Sequence, residues 1–189
     1  MNFNLQVPFI FWNKNSPEIV HKVTVINYNK GVVCTGSETG EVCIWHKDKQ
    51  EFIPDLMCCI GHEAECRELS FCKAPFPELT GSQNWVVSVH TDNVLRAWDL
   101  QDGKCISASS DDLLPKESSF DLMHSVQERA LVIGGDTAEA FLVDPWTMQL
   151  LATLCLPNIV VGLDVADFQQ SSEVTLIDSE GEIAIWEVP

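Results

Sequence analysis

Positive charge is what this chain has least of. Its 189 residues hold 11 Lys and Arg against 28 Asp and Glu, a formal net charge of −17. Nucleic-acid binding draws its affinity from clustered cations that displace counterions. The sequence has no such cluster, so neither nucleic acid nor an anionic membrane surface is an expected partner. The deficit is uneven. Residues 1–98 carry 8 basic and 11 acidic side chains, net −3, whereas residues 99–189 carry 3 and 17, net −14. A cationic partner, or a basic patch on one, is the counterpart of that second half; the alternative is a solvated acidic surface.

Other absences narrow the field further. There is no P-loop, dinucleotide fingerprint, EF-hand loop or Asn-x-Ser/Thr acceptor. Gly36-Ser37-Glu38-Thr39-Gly40 reads as a strand-connecting turn, not a nucleophile elbow. Long apolar runs are also scarce. Residues 145–163 are uncharged, but Pro157-Asn158 interrupts them, so two strands joined by a turn fit better than a membrane helix. The opening MNFNLQVPFIFW has no basic start and no long apolar core, so it does not read as a secretory signal. With cysteines at 34, 43, 58, 59, 66, 72, 105 and 155, several inside apolar runs, the expectation is a reducing, cytoplasmic setting without disulfides.

What is present is ordinary in amount and regular in order. Hydrophobic residues make up 46% of the chain, enough for a packed domain. The apolar runs are four to seven residues long, punctuated by Gly, Asn, Asp and Ser, and no stretch holds a 3.6-residue period for three turns. That pattern predicts an all-β fold of short strands. It also repeats. GVVCTGSETGEVCIWHKD (31–48), NWVVSVHTDNVLRAWDLQDGKCI (84–106) and SEVTLIDSEGEIAIWEVP (172–189) each show strand, polar turn, strand, Trp. A weaker copy, RALVIGGDTAEAFLVDPWTMQLL (129–151), has Val143 in the Trp place and Asp144 after it, as Asp99 follows Trp98. The anchors Trp45, Trp98, Val143 and Trp186 are 53, 45 and 43 residues apart. With a further apolar run before each pair of strands, and another after Trp45, Trp98 and Val143, the units become four-stranded blades: 20–59, 60–108, 117–156 and an incomplete 158–189. A repeat of this length is that of a β-propeller blade.

The run GHEAECRELSF…NWVVSVHTDNVLRAWDLQDGKCI resembles a WD repeat, with Gly61-His62 at one end and Trp98-Asp99 at the other. The resemblance implies a structural tetrad of the Trp98 indole, Asp92, His62 and a hydroxyl; the hydroxyl place, two before the aspartate, is held by His90. The other units depart further: unit one has Thr39 where the aspartate is expected, and unit four has Asp178 and Glu180 shuffled. WD propellers usually have seven blades, so the four units are expected to belong to a larger ring. The alternative is a four-bladed ring in which 7–12 supplies the strand missing after Trp186.

Within that family, VPFIFWNKNSPEIVHKVTVINYNKGVVCTGSETGEVCIW, the RAWDLQDGKCI blade and the VDPWTMQLLATL blade resemble the N-terminal region of rabconnectin-type β chains. That likeness implies a larger WD-repeat partner and proton-pump subunits, a role in assembly of the vacuolar proton pump and organelle acidification, and a peripheral place on endosomal or synaptic-type vesicles.

Few residues are candidates for chemistry. His62, Asp92 and a nearby hydroxyl fit the composition of a catalytic triad, but the tetrad uses the same types to tie a loop to a turn. Cys58, Cys59, His62, Cys66 and Cys72 are too irregularly spaced for a zinc site and read as core thiols beside a tetrad histidine. Acidic pairs such as Asp111-Asp112 read as solvated loops. Trp146, after Asp144-Pro145 in an expected exposed turn, is a candidate interface anchor together with Asp111 and Asp112. The chain is therefore expected to be a scaffold for other proteins, with no catalytic residue, cofactor or metal. A small ring binding a basic peptide and a propeller hydrolase are the alternatives.

Overall fold

The computed structural model describes residues 20–27, 31–47, 52–55, 64–73 and 84–189. Among them every regular element is a β-strand. The first sheet holds β1 (His21–Asn27), β2 (Val32–Ser37), β3 (Val42–Lys47) and β4 (Phe52–Asp55). The second holds β5 (Cys66–Lys73), β6 (Asn84–His90), β7 (Leu95–Asp99) and β8 (Cys105–Ala108). The third holds β9 (Phe120–Val126), β10 (Ala130–Gly135), β11 (Glu139–Asp144) and β12 (Gln149–Cys155). The fourth has three strands among the described residues, β13 (Val160–Asp167), β14 (Ser172–Asp178) and β15 (Ile183–Val188). Each sheet is an antiparallel meander in chain order. Residues 7–12 and 56–63, the latter including His62, lie outside the described residues.

The sheets stack face to face. Cys34, Val42 and Ile44 of the first pack on Leu69, Phe71, Val86 and Trp98 of the second. Trp85, Val87 and Leu95 of the second pack on Met123, Leu131 and Phe141 of the third. Val132, Leu142 and Leu154 of the third pack on Val174, Leu176 and Trp186 of the fourth. This explains why β2, β6 and β10 read as unbroken apolar runs rather than alternating ones. A strand covered on both faces has no polar side, and Trp85, Val86, Val87, Ser88 and Val89 are all fully buried. Each such Val or Leu contributes about 1.5–3 kcal/mol by burial. The half-exposed Lys22–Glu65 pair that also links the first two sheets, 3.0 Å apart, belongs to a class worth at most about 1 kcal/mol. Apolar packing therefore decides the stacking.

The first strands β1, β5, β9 and β13 lie next to one another in turn and line a single cavity. Blades whose first strands face a common centre make a β-propeller. The uncharged stretch 145–163 falls into β12 and β13, with the bend at 157–158 between them. No helix among the described residues is long and apolar enough to cross a membrane.

The turn between the second and third strands is built alike in three blades. Gly40, Asn93 and Gly181 occupy the same place with φ of 93°, 59° and 86°, a left-handed backbone that Gly and Asn tolerate best. Asn93 adds two bonds, its Nδ2 donating to the carbonyls of Pro115 (2.7 Å) and Ser118 (2.8 Å). Asn93→Ala should therefore cost about 2 kcal/mol, from lost hydrogen bonds and backbone strain. Asn93→Gly should recover the strain part, both read from urea denaturation.

Candidate functional site

The tetrad expected around Trp98 exists in a different form. The Trp98 indole N–H donates to Ser88 Oγ at 2.9 Å, and Ser88 Oγ lies 2.8 Å from His90 Nε2. His90 Nδ1 is 3.0 Å from the Ala64 carbonyl. A carbonyl only accepts, so Nδ1 carries the proton, Nε2 accepts from the Ser88 hydroxyl, and every polar atom is satisfied. The hydroxyl is thus Ser88, ten residues before the Trp, and His90 is its acceptor rather than its substitute. Blade one repeats the spacing: Trp45 Nε1 donates to Thr35 Oγ1 at 3.0 Å. Asp92 does not join the Trp98 network. It faces the Arg96 guanidinium at 2.7 Å and takes the Val94 N–H. Burial opposes its charge, but these bonds hold its carboxyl below the usual range.

A Ser–His contact of 2.8 Å is also what an activated nucleophile needs. Here Ser88 and His90 are both 0% exposed and the hydroxyl already serves the indole, so this pair ties β6 to β7 and to the 64–65 loop.

The residue eight before the Trp closes the tight turn in blades one and four. Ser37 Oγ accepts from the N–H groups of Thr39 (3.2 Å) and Glu41 (2.9 Å). At the equivalent positions Asp178 Oδ1 accepts from Glu180 N–H (3.0 Å) and Glu182 N–H (2.9 Å). The apparent shuffling of Asp178 and Glu180 is therefore a substitution of carboxylate for hydroxyl in one role. Asn158 adds a bond to Asp178 Oδ2 at 3.1 Å. Burial opposes the Asp178 charge, yet the Asn158 and backbone bonds outweigh it and lower its pKa. Stability from a lowered carboxyl is fully present above the unfolded value, about 4, and is lost as pH falls through the lower folded value. Asp178→Asn should accordingly flatten the fall of Tm between pH 5 and pH 2, with little change in slope above pH 6.

Asp99 and Asp144, the residues following the anchors, shape the next turn. Asp99 Oδ1 accepts from Gln101 N–H at 2.7 Å, and Asp144 Oδ1 from Trp146 N–H at 2.8 Å. Trp146 differs from expectation: it is half-buried, stacked on Trp85 with centroids 4.9 Å apart and planes 15° from parallel. The Asp144 cap folds the indole back over the core between blades two and three, so it is not an exposed anchor. Asp111 and Asp112 are exposed, with Asp111 paired to Lys116 at 3.0 Å.

The central cavity, of about 480 Å³, is lined among others by Thr24 of β1, Glu68 and Ser70 of β5, His124 and Ser125 of β9, and Asp167 of β13. Burial pushes the Glu68 carboxyl up and Asp121 adds to this; the Leu69 N–H and His124 offset part of it. Asp167 Oδ1 instead accepts from Gln127 N–H (3.0 Å) and Ser172 Oγ (2.7 Å), tying blade four to blade three. Glu128, also on the cavity wall, pairs with Lys73 at 3.0 Å. Sequence reading missed Glu68, Ser88 and Arg96; an apolar-flanked ELS or VVSVH run carries no motif that marks its polar member. Of the irregularly spaced cysteine cluster, Cys66 and Cys72 are buried, while Cys58, Cys59 and His62 lie outside the described residues. No group of three or more His, Cys, Asp or Glu able to hold a metal ion occurs among the described residues.

No family model matches the chain, and no curated protein matches it in sequence. Solved structures do. The chain is similar to the computationally designed Ika4 protein, with TM-score 0.68 and 18% identity over 97% of this chain and 100% of that one. It is also similar to BamB from Moraxella catarrhalis, with TM-score 0.62 and 11% identity over 87% of this chain, and spans 42% of that protein. Likeness at this level of identity is a likeness of fold, and the fold it supports is the β-propeller.

Proposed function

We propose that this chain is a non-catalytic scaffold for protein–protein contacts. The observation that carries the reading is the use of its candidate polar groups. Ser88, His90, Asp92, Asp99, Asp144 and Asp178 are each committed to a bond that holds strands or turns together, which leaves recognition to surfaces. By its resemblance to rabconnectin-type β chains, we assign it a larger WD-repeat partner and proton-pump subunits. The same resemblance assigns a role in vacuolar proton pump assembly and organelle acidification, in the cytoplasm and peripherally on endosomal or synaptic-type vesicles reached through partners. Fold alone does not fix this, so the test is direct. Affinity purification of the chain from a cell extract is expected to recover pump subunits together with a large WD-repeat protein. Recovery of neither overturns the proton-pump assignment.

A second reading, binding of a basic peptide, is favoured by the cavity wall, which carries Glu68, Glu128 and Asp167, with Lys73 paired to Glu128. Glu68→Gln should weaken binding of an oligolysine probe and leave the melting temperature within a few degrees.

A further inference from the structure

The crevice between β5 and β9, the first strands of blades two and three, lies wholly inside the chain. Blade two packs against blades one and three, and blade three against blades two and four. The two walls of the crevice are therefore the same whether the ring closes at four blades or continues. On β5, Leu69 and Phe71 pack toward blade one and Cys72 toward blade three. Alternation then puts Glu68 and Ser70 on the face toward blade three. On β9, Met123 packs toward blade two, while Leu122 and Val126 pack toward blade four. Ser125 thus shares the face of Met123, and His124 lies on the opposite one. Glu68, Ser70 and Ser125 all reach the wall of the central cavity.

These three side chains have bonding capacity left over. Ser70 is 6% exposed, yet neither its hydroxyl nor that of Ser125 makes a hydrogen bond among the described residues. A hydroxyl so far from bulk water is satisfied only by what enters the cavity. Glu68 Oε1 takes the Leu69 N–H at 2.9 Å, and its Oε2 takes no donor among the described residues. The other wall carboxylates are engaged: Asp167 by Gln127 and Ser172, and Glu128 by Lys73. Asp121 adds negative charge close to Glu68, which disfavours an anionic guest. A guanidinium is a flat fork matched to both oxygens of one carboxylate, and one oxygen of Glu68 is already used. An ammonium carries three donors on a compact charge, and Glu68 Oε2, Ser70 Oγ and Ser125 Oγ are three acceptors. Met123 and Val165, also on the wall, offer apolar surface to a four-carbon stem.

We infer that the β5–β9 crevice seats the side chain of an unmethylated lysine of a partner, its ammonium donating to Glu68, Ser70 and Ser125. The inference rests on the basic-peptide reading and narrows it to one side chain and three acceptors. It does not involve the proton-pump assignment.

The probe is fluorescein-labelled pentalysine, titrated into the 189-residue chain and followed by fluorescence anisotropy. Saturable binding is expected. Trimethylation of every lysine amine keeps the charge and removes the donors, so the trimethylated probe should bind about tenfold more weakly. Pentaarginine should also bind more weakly than pentalysine. Glu68→Gln should weaken pentalysine about tenfold. Glu180→Gln with Glu182→Gln, two exposed carboxylates at the turn of blade four, should leave it unchanged. Ser70→Ala with Ser125→Ala should shrink the preference for lysine over trimethyl-lysine. The probe series runs on the wild-type chain, so it decides the matter even where a variant fails to fold. No saturable binding overturns this inference and the basic-peptide reading together. Saturable binding that is as tight for the trimethylated or arginine probe, or as tight in Glu68→Gln, overturns the lysine site and leaves the basic-peptide reading standing. Spermine displacing the probe at lower concentration than unlabelled pentalysine overturns it in favour of a free polyamine.

Discussion

Gly135→Ala should lower stability by about 4 kcal/mol, the upper end of what single substitutions do. A Cβ at Gly135 would sit 1.9 Å from the Ser119 carbonyl oxygen and 2.8 Å from Phe120 Cα. Both are backbone atoms, so no side chain can turn away to make room. Relief requires β9 and β10 to part where Gly135 pairs with Phe120, at an irregularity of the register. It also threatens the bond from Asp136 N–H to that same carbonyl, 3.0 Å long. Phe120, 1% exposed and edge-on to Phe141 with centroids 5.7 Å apart, would be drawn out of the core between blades two and three. Urea denaturation should show a markedly lower midpoint. A midpoint within about 0.3 M of wild type, the shift expected of a neutral surface change at ordinary m-values, would refute the steric account.

Ser88→Ala should cost about 2–3 kcal/mol, although it removes a single oxygen. The loss strands two buried groups at once, the Trp98 indole N–H and the acceptor nitrogen of His90, and each unsatisfied buried group costs about 1–3 kcal/mol. Thr35→Ala in blade one should cost about 1–3 kcal/mol, the penalty for stranding the buried Trp45 indole N–H. Trp98→Phe separates the effects. In the Ser88→Ala background its additional cost should be smaller than in wild type, because the donor it removes is already stranded. A double-mutant cycle with zero coupling would break the proposed chain from Trp98 through Ser88 to His90.

The repeat was legible because propeller packing stamps it on the sequence. The strand after each tight turn buries an anchor, with Trp98, Val143 and Trp186 packed against the preceding blade and Trp45 against Val33 and Cys43 of its own, so the four recur at similar spacing. The identity of the polar partner was harder to see. Counting back from Asp92 lands on His90, whereas the bond that matters is counted from the indole and lands on Ser88 in a run that otherwise looks like plain core. Hydroxyl and carboxylate are interchangeable acceptors for a turn's N–H groups, which hid the kinship of Ser37 and Asp178. The fate of Trp146 depends on the Asp144 cap bending the chain back on itself, a three-dimensional event that adjacency in sequence does not encode.

The buried thiols make the molecule a recorder of its own opening. Cys34 and Cys43 sit in blade one and Cys66 and Cys72 in blade two, all nearly inaccessible, while Cys105 and Cys155 are exposed. Burial, with a smaller contribution from Cys43, pushes the Cys34 thiol far above its ordinary range, so it reacts only when its blade comes apart. Because local opening has its own free energy in each part of a fold, pulsed alkylation followed by peptide mass analysis would assign a separate lifetime to each of these two blades, with the two exposed cysteines as the clock's zero.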